Sequence, residues 1–130
     1  MTRIFVDTSA WFSLLNTAES DHAEVAAVYR QPGRRWYTSN FVLDEPLTLV
    51  LAREGHPTAV QAGRALRFGD AAQVVAVLPG DEEQAWSLFQ KFRGPSFTDC
   101  TTAVLMRRLR IDTIVTLDEH FKWFGFTCHP

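Results

Sequence analysis

The sequence predicts an α/β three-layer sandwich, with helices on both faces of a central, mostly parallel sheet. Three observations predict it. Short apolar runs with β-branched content recur at Arg3–Val6, Val74–Leu78 and Thr113–Leu117, each the length of a buried strand. Stretches of helical period lie between them, the alternation that builds a parallel sheet covered on both sides. The breaks are compact Gly/Pro signals (Pro32-Gly33, Gly55-His56-Pro57, Pro79-Gly80, Gly94-Pro95) and not long polar linkers, so no domain boundary is visible.

Taken in order, Arg3–Val6 ends in an acid and reads as the first strand. Asp21 and Glu24 have cap-and-box spacing and open a helix that runs to about Gln31. Arg35–Thr38 is a short strand. Phe41–Arg53 and Thr58–Phe68 are helical, the second ended by Gly69. This pair of helices is an insert that ordinary βαβ spacing does not contain. Val74–Leu78 is a continuous aliphatic strand, followed by a helix from about Asp81 to Phe92. Thr98–Arg110 is helical, with Ala103, Leu105, Met106 and Leu109 as its apolar positions. Thr113–Leu117 is a strand, a short helix starts at Asp118, and a last strand lies near Phe126–Cys128.

Length and composition bound the rest. At 130 residues and 46% hydrophobic, with ten Phe and four Trp, the chain makes one domain over residues 1–130 with a proper core. No apolar stretch approaches the roughly 20 residues of a membrane helix. Met1–Asp7 meets an acid after three apolar residues, which is no signal peptide. Two cysteines, Cys100 and Cys128, make no disulfide scaffold, and a reducing cytoplasm is the expected location. The formal charge of −2 argues, at face value, against a broad surface for nucleic acid.

Three aspartates share one context. Asp7 follows Ile4-Phe5-Val6, Asp118 follows Ile114-Val115-Thr116-Leu117, and Asp99 opens the helix after Pro95-Ser96-Phe97-Thr98. In open α/β sheets ligands bind beyond the carboxyl ends of the strands, where helices begin. Asp is also a preferred N-cap residue, and Ser96 to Asp99 has capping-box spacing, so each acid alone reads as a cap. Glu45 shifts the balance. Its helical neighbours are Phe41 and Leu49, and a carboxylate on an apolar stripe is costly without a partner such as Arg53 or Arg64. Converging carboxylates repel and raise one another's pKa. Hard divalent cations with oxygen ligands relieve this, and one or two of them can activate water against a phosphodiester.

Phe5-Val6-Asp7-Thr8-Ser9-Ala10-Trp11, Thr38–Glu45, Ser96-Phe97-Thr98-Asp99 and Val115–Phe121 together resemble the four motifs of PIN domains. The likeness is greatest to VapC-type toxin ribonucleases of prokaryotic toxin–antitoxin pairs, and it spans essentially the whole chain in the right order. It implies that Asp7, Glu45, Asp99 and Asp118 are the catalytic acids that hold Mg²⁺ or Mn²⁺, as one or two ions. Thr8, Thr98 and Thr116 match small polar positions that support the acids. Trp11 and His120 lie where substrate contact is expected. The resemblance also implies an RNA substrate, a small antitoxin partner and a homodimer, with no membrane partner. Pro46, directly after the glutamate, departs from the pattern.

Other chemistry is poorly supported. Ser9 stands where a haloacid-dehalogenase-like phosphatase needs a second aspartate, and the acid pair and lysine of a receiver domain are missing. No phosphate-binding G-x-x-x-x-G-K-S/T loop is present. His120, Cys128 and His129 have no zinc spacing, and Cys100 has no neighbouring histidine to activate it. A catalytically idle PIN-like module for binding RNA or protein is the alternative of a different class. A flap-type DNA nuclease shares the fold but needs a longer chain. Arg34-Arg35, Arg64 with Arg67, Lys91 with Arg93, and Arg107-Arg108 with Arg110 are candidate phosphate contacts. With the four acids set aside, the charge of −2 becomes +2, so the balance describes an acidic hole in a mildly basic surface.

Overall fold

A computed structural model describes all residues, 1–130. Its elements are β1 (Thr2–Val6), α1 (Thr8–Leu15), α2 (His22–Tyr29), β2 (Arg34–Ser39), α3 (Asn40–Glu54), α4 (His56–Phe68), β3 (Gln73–Val75), α5 (Pro79–Lys91), α6 (Phe97–Leu109), β4 (Thr113–Val115), α7 (His120–Trp123) and β5 (Thr127–His129). The strands form one sheet in the order β3-β2-β1-β4-β5, and every pairing is parallel. The expected sandwich is present, with a sheet that is wholly and not mostly parallel. Right-handed crossovers then place α1–α4 on one face and α5–α7 on the other.

Strand order turns back at β1: the chain moves out through β2 and β3, then returns to pair β4 with β1. The crevice beyond the carboxyl ends of β1 and β4 is thus a topological switch point, where such sheets bind ligands. Ile4, Phe5, Val6, Ile114 and Val115 are buried in the central strands. Helix α6 is the central helix, with every residue from Asp99 to Met106 buried.

Three elements differ from the sequence reading. The hydrophobic period does not announce α1, whose residues are apolar nearly all round; it forms by packing, burying Ala10, Trp11 and Ser13. Strand β3 stops at Val75, short of Leu78. There the next donors find side chains: Val77 N–H donates to Asn40 Oδ1 (2.9 Å) and Leu78 N–H to Asp81 Oδ2 (2.9 Å). Strand β4 stops at Val115, short of Leu117, because Leu117 N–H donates to Ser9 Oγ (2.9 Å) and Asp118 N–H to Thr116 Oγ1 (3.0 Å).

Asp81 locks α5 to α6. Arg108 Nε donates to Oδ1 (3.0 Å) and Nη2 to Oδ2 (2.9 Å), a bidentate pair on a carboxylate that is 4% exposed. Burial raises the Asp81 pKa, but the Arg108 bonds, the Leu78 N–H and the Arg108 charge outweigh it and hold the carboxyl below its usual range. Removing one partner leaves the other uncompensated. Asp81→Ala should therefore cost about 2 kcal/mol, reduced from the fully buried case because Arg108 reaches solvent. Thermal unfolding at neutral pH measures it. Since the folded pKa is depressed, this contribution is present above the unfolded value and fades as pH falls through the folded one.

Candidate metal centre

The four acids expected from sequence meet in one open cleft of about 370 Å³ at the switch point, with Phe12 and Leu49 on its apolar wall. No lysine or arginine lines it. Asp7 continues the β1 ladder by donating its N–H to Val115 O (3.0 Å), which carries its side chain into the gap between β1 and β4. It is 3% exposed. Oδ2 accepts the Thr116 hydroxyl at 2.9 Å and the Ser9 hydroxyl at 3.3 Å. Oδ1 is buried and accepts nothing. Burial, chiefly, and then the Asp99 charge push the Asp7 carboxyl up to about 7, against the lowering effect of the Thr116 bond.

Asp99 sits at the third residue of α6. Its N–H donates to Ser96 Oγ (3.0 Å) and its Oδ2 accepts the Ser96 N–H (2.9 Å), a reciprocal capping box. Capping and the cleft therefore share one carboxylate. Burial raises its pKa, opposed by the Ser96 bonds and aided by the Asp118 charge. Asp118 Oδ1 accepts the His120 N–H (2.9 Å), which fixes the carboxylate over the end of β4. Asp7, although it occupies the N-cap position of α1, makes no capping bond. The capping reading holds for Asp99, in its box with Ser96, and for Asp118, which accepts the first N–H of α7, but not for Asp7.

Glu45 does not sit in an apolar stripe with an arginine partner. It is exposed on α3 and lines the cleft. The salt bridges of the chain are Arg108–Asp81 and His120–Asp118, while Arg53 stacks over the Phe12 ring at 4.8 Å. Pro46 lies inside α3 and leaves the Val42 carbonyl without its helical donor. The Thr8 hydroxyl takes that place with a long bond (3.4 Å). Thr8 thus ties α1 to α3 at Val42, three residues before Glu45, and its backbone N–H lowers the Asp7 pKa.

The donor set is mainly hard oxygen, four carboxylates lining a cleft that has no lysine or arginine, with His120 beside Asp118 and one buried Asp7 oxygen without a partner. It fits a divalent cation of the Mg²⁺ class, which takes carboxylate oxygens and offsets their repulsion.

Residues 4–126 match the PIN domain family. The chain belongs to the PIN-domain family. It is 36% identical to the 23S rRNA-specific endonuclease VapC20 of Mycobacterium tuberculosis over 125 residues, 95% of both chains. It is 31% identical to ribonuclease VapC26 of the same organism over 122 residues, 92% of this chain and 90% of that one. The crystal structure of VapC20, described as a sarcin-ricin loop cleaving toxin, superposes with a TM-score of 0.89 at 35% identity, covering 98% of this chain and 99% of that one. VapBC2 of Rickettsia felis, solved with a promoter DNA fragment, shares the fold at a TM-score of 0.70 and 14% identity, with 98% of each chain covered.

Within this PIN domain, Thr116 is the pivot between the first and fourth acids. Its hydroxyl donates to Asp7 Oδ2 and accepts the Asp118 N–H. Ser9 is the residue the sequence reading missed. Its Oγ, 3.3 Å from Thr116 Oγ1, donates to Asp7 and accepts the Leu117 N–H, so it closes the turn that aims Asp118. The available signal was its place two residues after the first acid. Thr98 lines the cleft, but its carbonyl serves the Thr101 hydroxyl (2.6 Å) and its own hydroxyl meets no acid. Thr116→Val should raise the Asp7 pKa further by removing the bond that lowers it, moving the acid limb of the activity profile to higher pH. A profile that overlays the wild type contradicts this.

Trp11 is not a substrate contact. It is 2% exposed, its indole N–H donates to Thr38 Oγ1 (3.0 Å), and its ring packs edge-on against Tyr29 at 5.9 Å. Its side chain packs into the core, whereas Thr8, Ser9 and Phe12 of the same helix line the cleft. His120 does reach the site: Nδ1 lies 2.7 Å from Asp118 Oδ1, without the alignment of a hydrogen bond. One oxygen each from Asp99 and Asp118 and one His120 nitrogen fall within 4.8 Å of one another. Of the basic groups, Arg108 is committed to Asp81, and Arg107 donates to Phe124 O (3.3 Å).

Proposed function

We propose that this chain is a Mg²⁺- or Mn²⁺-dependent endoribonuclease, a single PIN domain over residues 1–130 acting as the toxin of a toxin–antitoxin pair. One observation carries the reading: four carboxylates line one cleft that has no lysine or arginine, and one of them, Asp7, is buried with an oxygen that has no partner. The names of the VapC20 and VapC26 relatives support RNA as the substrate. Asp7, Glu45, Asp99 and Asp118 would hold the cation. When bound, one or two such ions supply Lewis acidity toward the phosphodiester and a water made acidic enough to attack it.

The protein's own groups prepare that chemistry. Thr116 and Ser9 hold Asp7 Oδ2 and leave the buried Oδ1 without a partner, free to act as a ligand. Ser96 holds Asp99 by its backbone N–H, and the His120 N–H holds Asp118. Near pH 7 the Asp7 carboxyl retains its proton for part of the time and gives it up when positive charge enters the cleft. Phe12 and Leu49 narrow the approach on the side of Glu45.

An antitoxin partner is supported by the toxin–antitoxin complexes among the solved structures of this fold, VapBC2 of Rickettsia felis and FitAcB of Neisseria gonorrhoeae. We take the toxin as a cytoplasmic homodimer. No helix is long and apolar enough to cross a membrane. The test is cleavage of purified ribosomal RNA with Mg²⁺ or Mn²⁺, with duplex DNA as the control. The wild type should cut RNA and stop on chelation, and Asp99→Asn and Glu45→Gln should each cut far more slowly. Undiminished cleavage by both variants overturns the assignment of the site.

A further inference from the structure

We propose that Trp123, backed by His120 and Gly94, is a stacking platform for an unstacked RNA base next to the bond that is cut. This rests on the ribonuclease reading and names how the substrate is held. The aromatic residues near the C-terminus separate sharply. Phe121 and Phe124 are buried, whereas Trp123 is 55% exposed. A large indole left in solvent at a functional edge is informative in a way that a scattered surface leucine is not.

Its surroundings join it to the acids. The His120 and Trp123 rings meet edge-on at 4.6 Å, and His120 Nδ1 is 2.7 Å from Asp118 Oδ1. One short contact chain therefore runs from a cleft carboxylate to the exposed indole. Gly94 lines the cleft and supports the pair from the other side. Its φ is +118°, and a Cβ there would come 2.8 Å from His120 Nε2 and 3.4 Å from a Trp123 ring carbon. Only glycine combines that backbone conformation with this close approach. The indole is thus held in place while more than half of it stays open.

A nucleobase is the occupant that fits. Single-stranded and loop RNA is recognised by stacking unpaired bases on aromatic rings, and the platform is continuous with the site where the phosphodiester must lie. Aromatic stacking also adds affinity without adding cations to an acidic cleft.

The experiment uses the full chain. In the cleavage-deficient Asp7→Asn background, titration with a short unstructured RNA should quench tryptophan fluorescence, and adding Trp123→Phe should remove most of that change. In the active chain, Trp123→Ala should raise KM for ribosomal RNA about tenfold with kcat nearly unchanged, the loss of one stacked base. Trp123→Phe should restore most of it, and the Mn²⁺-induced rise in melting temperature should be equal in all three proteins. An unchanged KM in Trp123→Ala with the metal response intact overturns the platform. So does a change in self-association at unchanged KM, which would make Trp123 a protein contact. If the wild type itself cuts no RNA, the ribonuclease reading fails first and the platform falls with it.

Discussion

Asp7→Asn should abolish cleavage and, at the same time, make the metal-free protein more stable at pH 8. Loss of a carboxylate that holds the cation should cost roughly 10³-fold in rate, ~4 kcal/mol of barrier. The gain in stability follows from linkage. The Asp7 pKa is raised from 3.8 to about 7, mainly by burial, so the folded state binds this proton more tightly than the unfolded one. Its contribution is fully favourable below about pH 4, declines as pH rises through the folded value and stays unfavourable above it. Asparagine cannot ionise and escapes that decline. Metal-free Asp7→Asn should exceed the wild type by on the order of 2–4 kcal/mol at pH 8 and by almost nothing at pH 4. Thermal unfolding across pH, in chelator, decides it. A variant no more stable than wild type at pH 8 would mean that Asp7 is not a strained acid.

The second large effect is the converse, produced by adding the ion. Mn²⁺ at a hundred times its dissociation constant should stabilise the wild type by about 2.7 kcal/mol. For a domain of this size that is a rise of roughly 10 °C in melting temperature. The rise should be large at pH 8, where Asp7 has lost its proton, and much smaller at pH 5.5, where Asp7 keeps its proton and a cation must displace it. Chelation should reverse it. Asp7→Asn should flatten it, while Asp81→Ala, which touches only the α5–α6 lock, should lower the melting temperature and leave the increment intact. A pH-independent increment would place the ion away from Asp7.

Much of this site was legible in the sequence because strand ends and acids are local features. A β-branched run ending in aspartate needs no knowledge of its neighbours, and two such signals pointed to Asp7 and Asp118; Asp99 stood at a helix start, and the likeness to the four PIN motifs joined Glu45 to them. Ser96 and Asp99 were also legible as a box, since the bond pattern depends only on spacing. Roles that depend on distant partners were not. Glu45 was expected to be costly on an apolar stripe and is exposed. Trp11 and Trp123 are the same residue type, each near an acid in sequence, and only one meets solvent. Thr8 was expected behind Asp7, yet its hydroxyl bonds the carbonyl that Pro46 frees on another helix.

By itself the sequence determined the alternation of strands and helices and the order of the four acids. These rest on periodicity, capping chemistry and composition, which act within a few residues. The tertiary structure alone decided that β4 returns beside β1, and with it everything that makes the acids a centre. That pairing brings Thr116 and Ser9, 107 residues apart, onto one carboxylate, buries Asp7 and leaves one of its oxygens without a partner. Burial and hydrogen bonding belong to neighbours across the sheet, and no local pattern along the chain carries them.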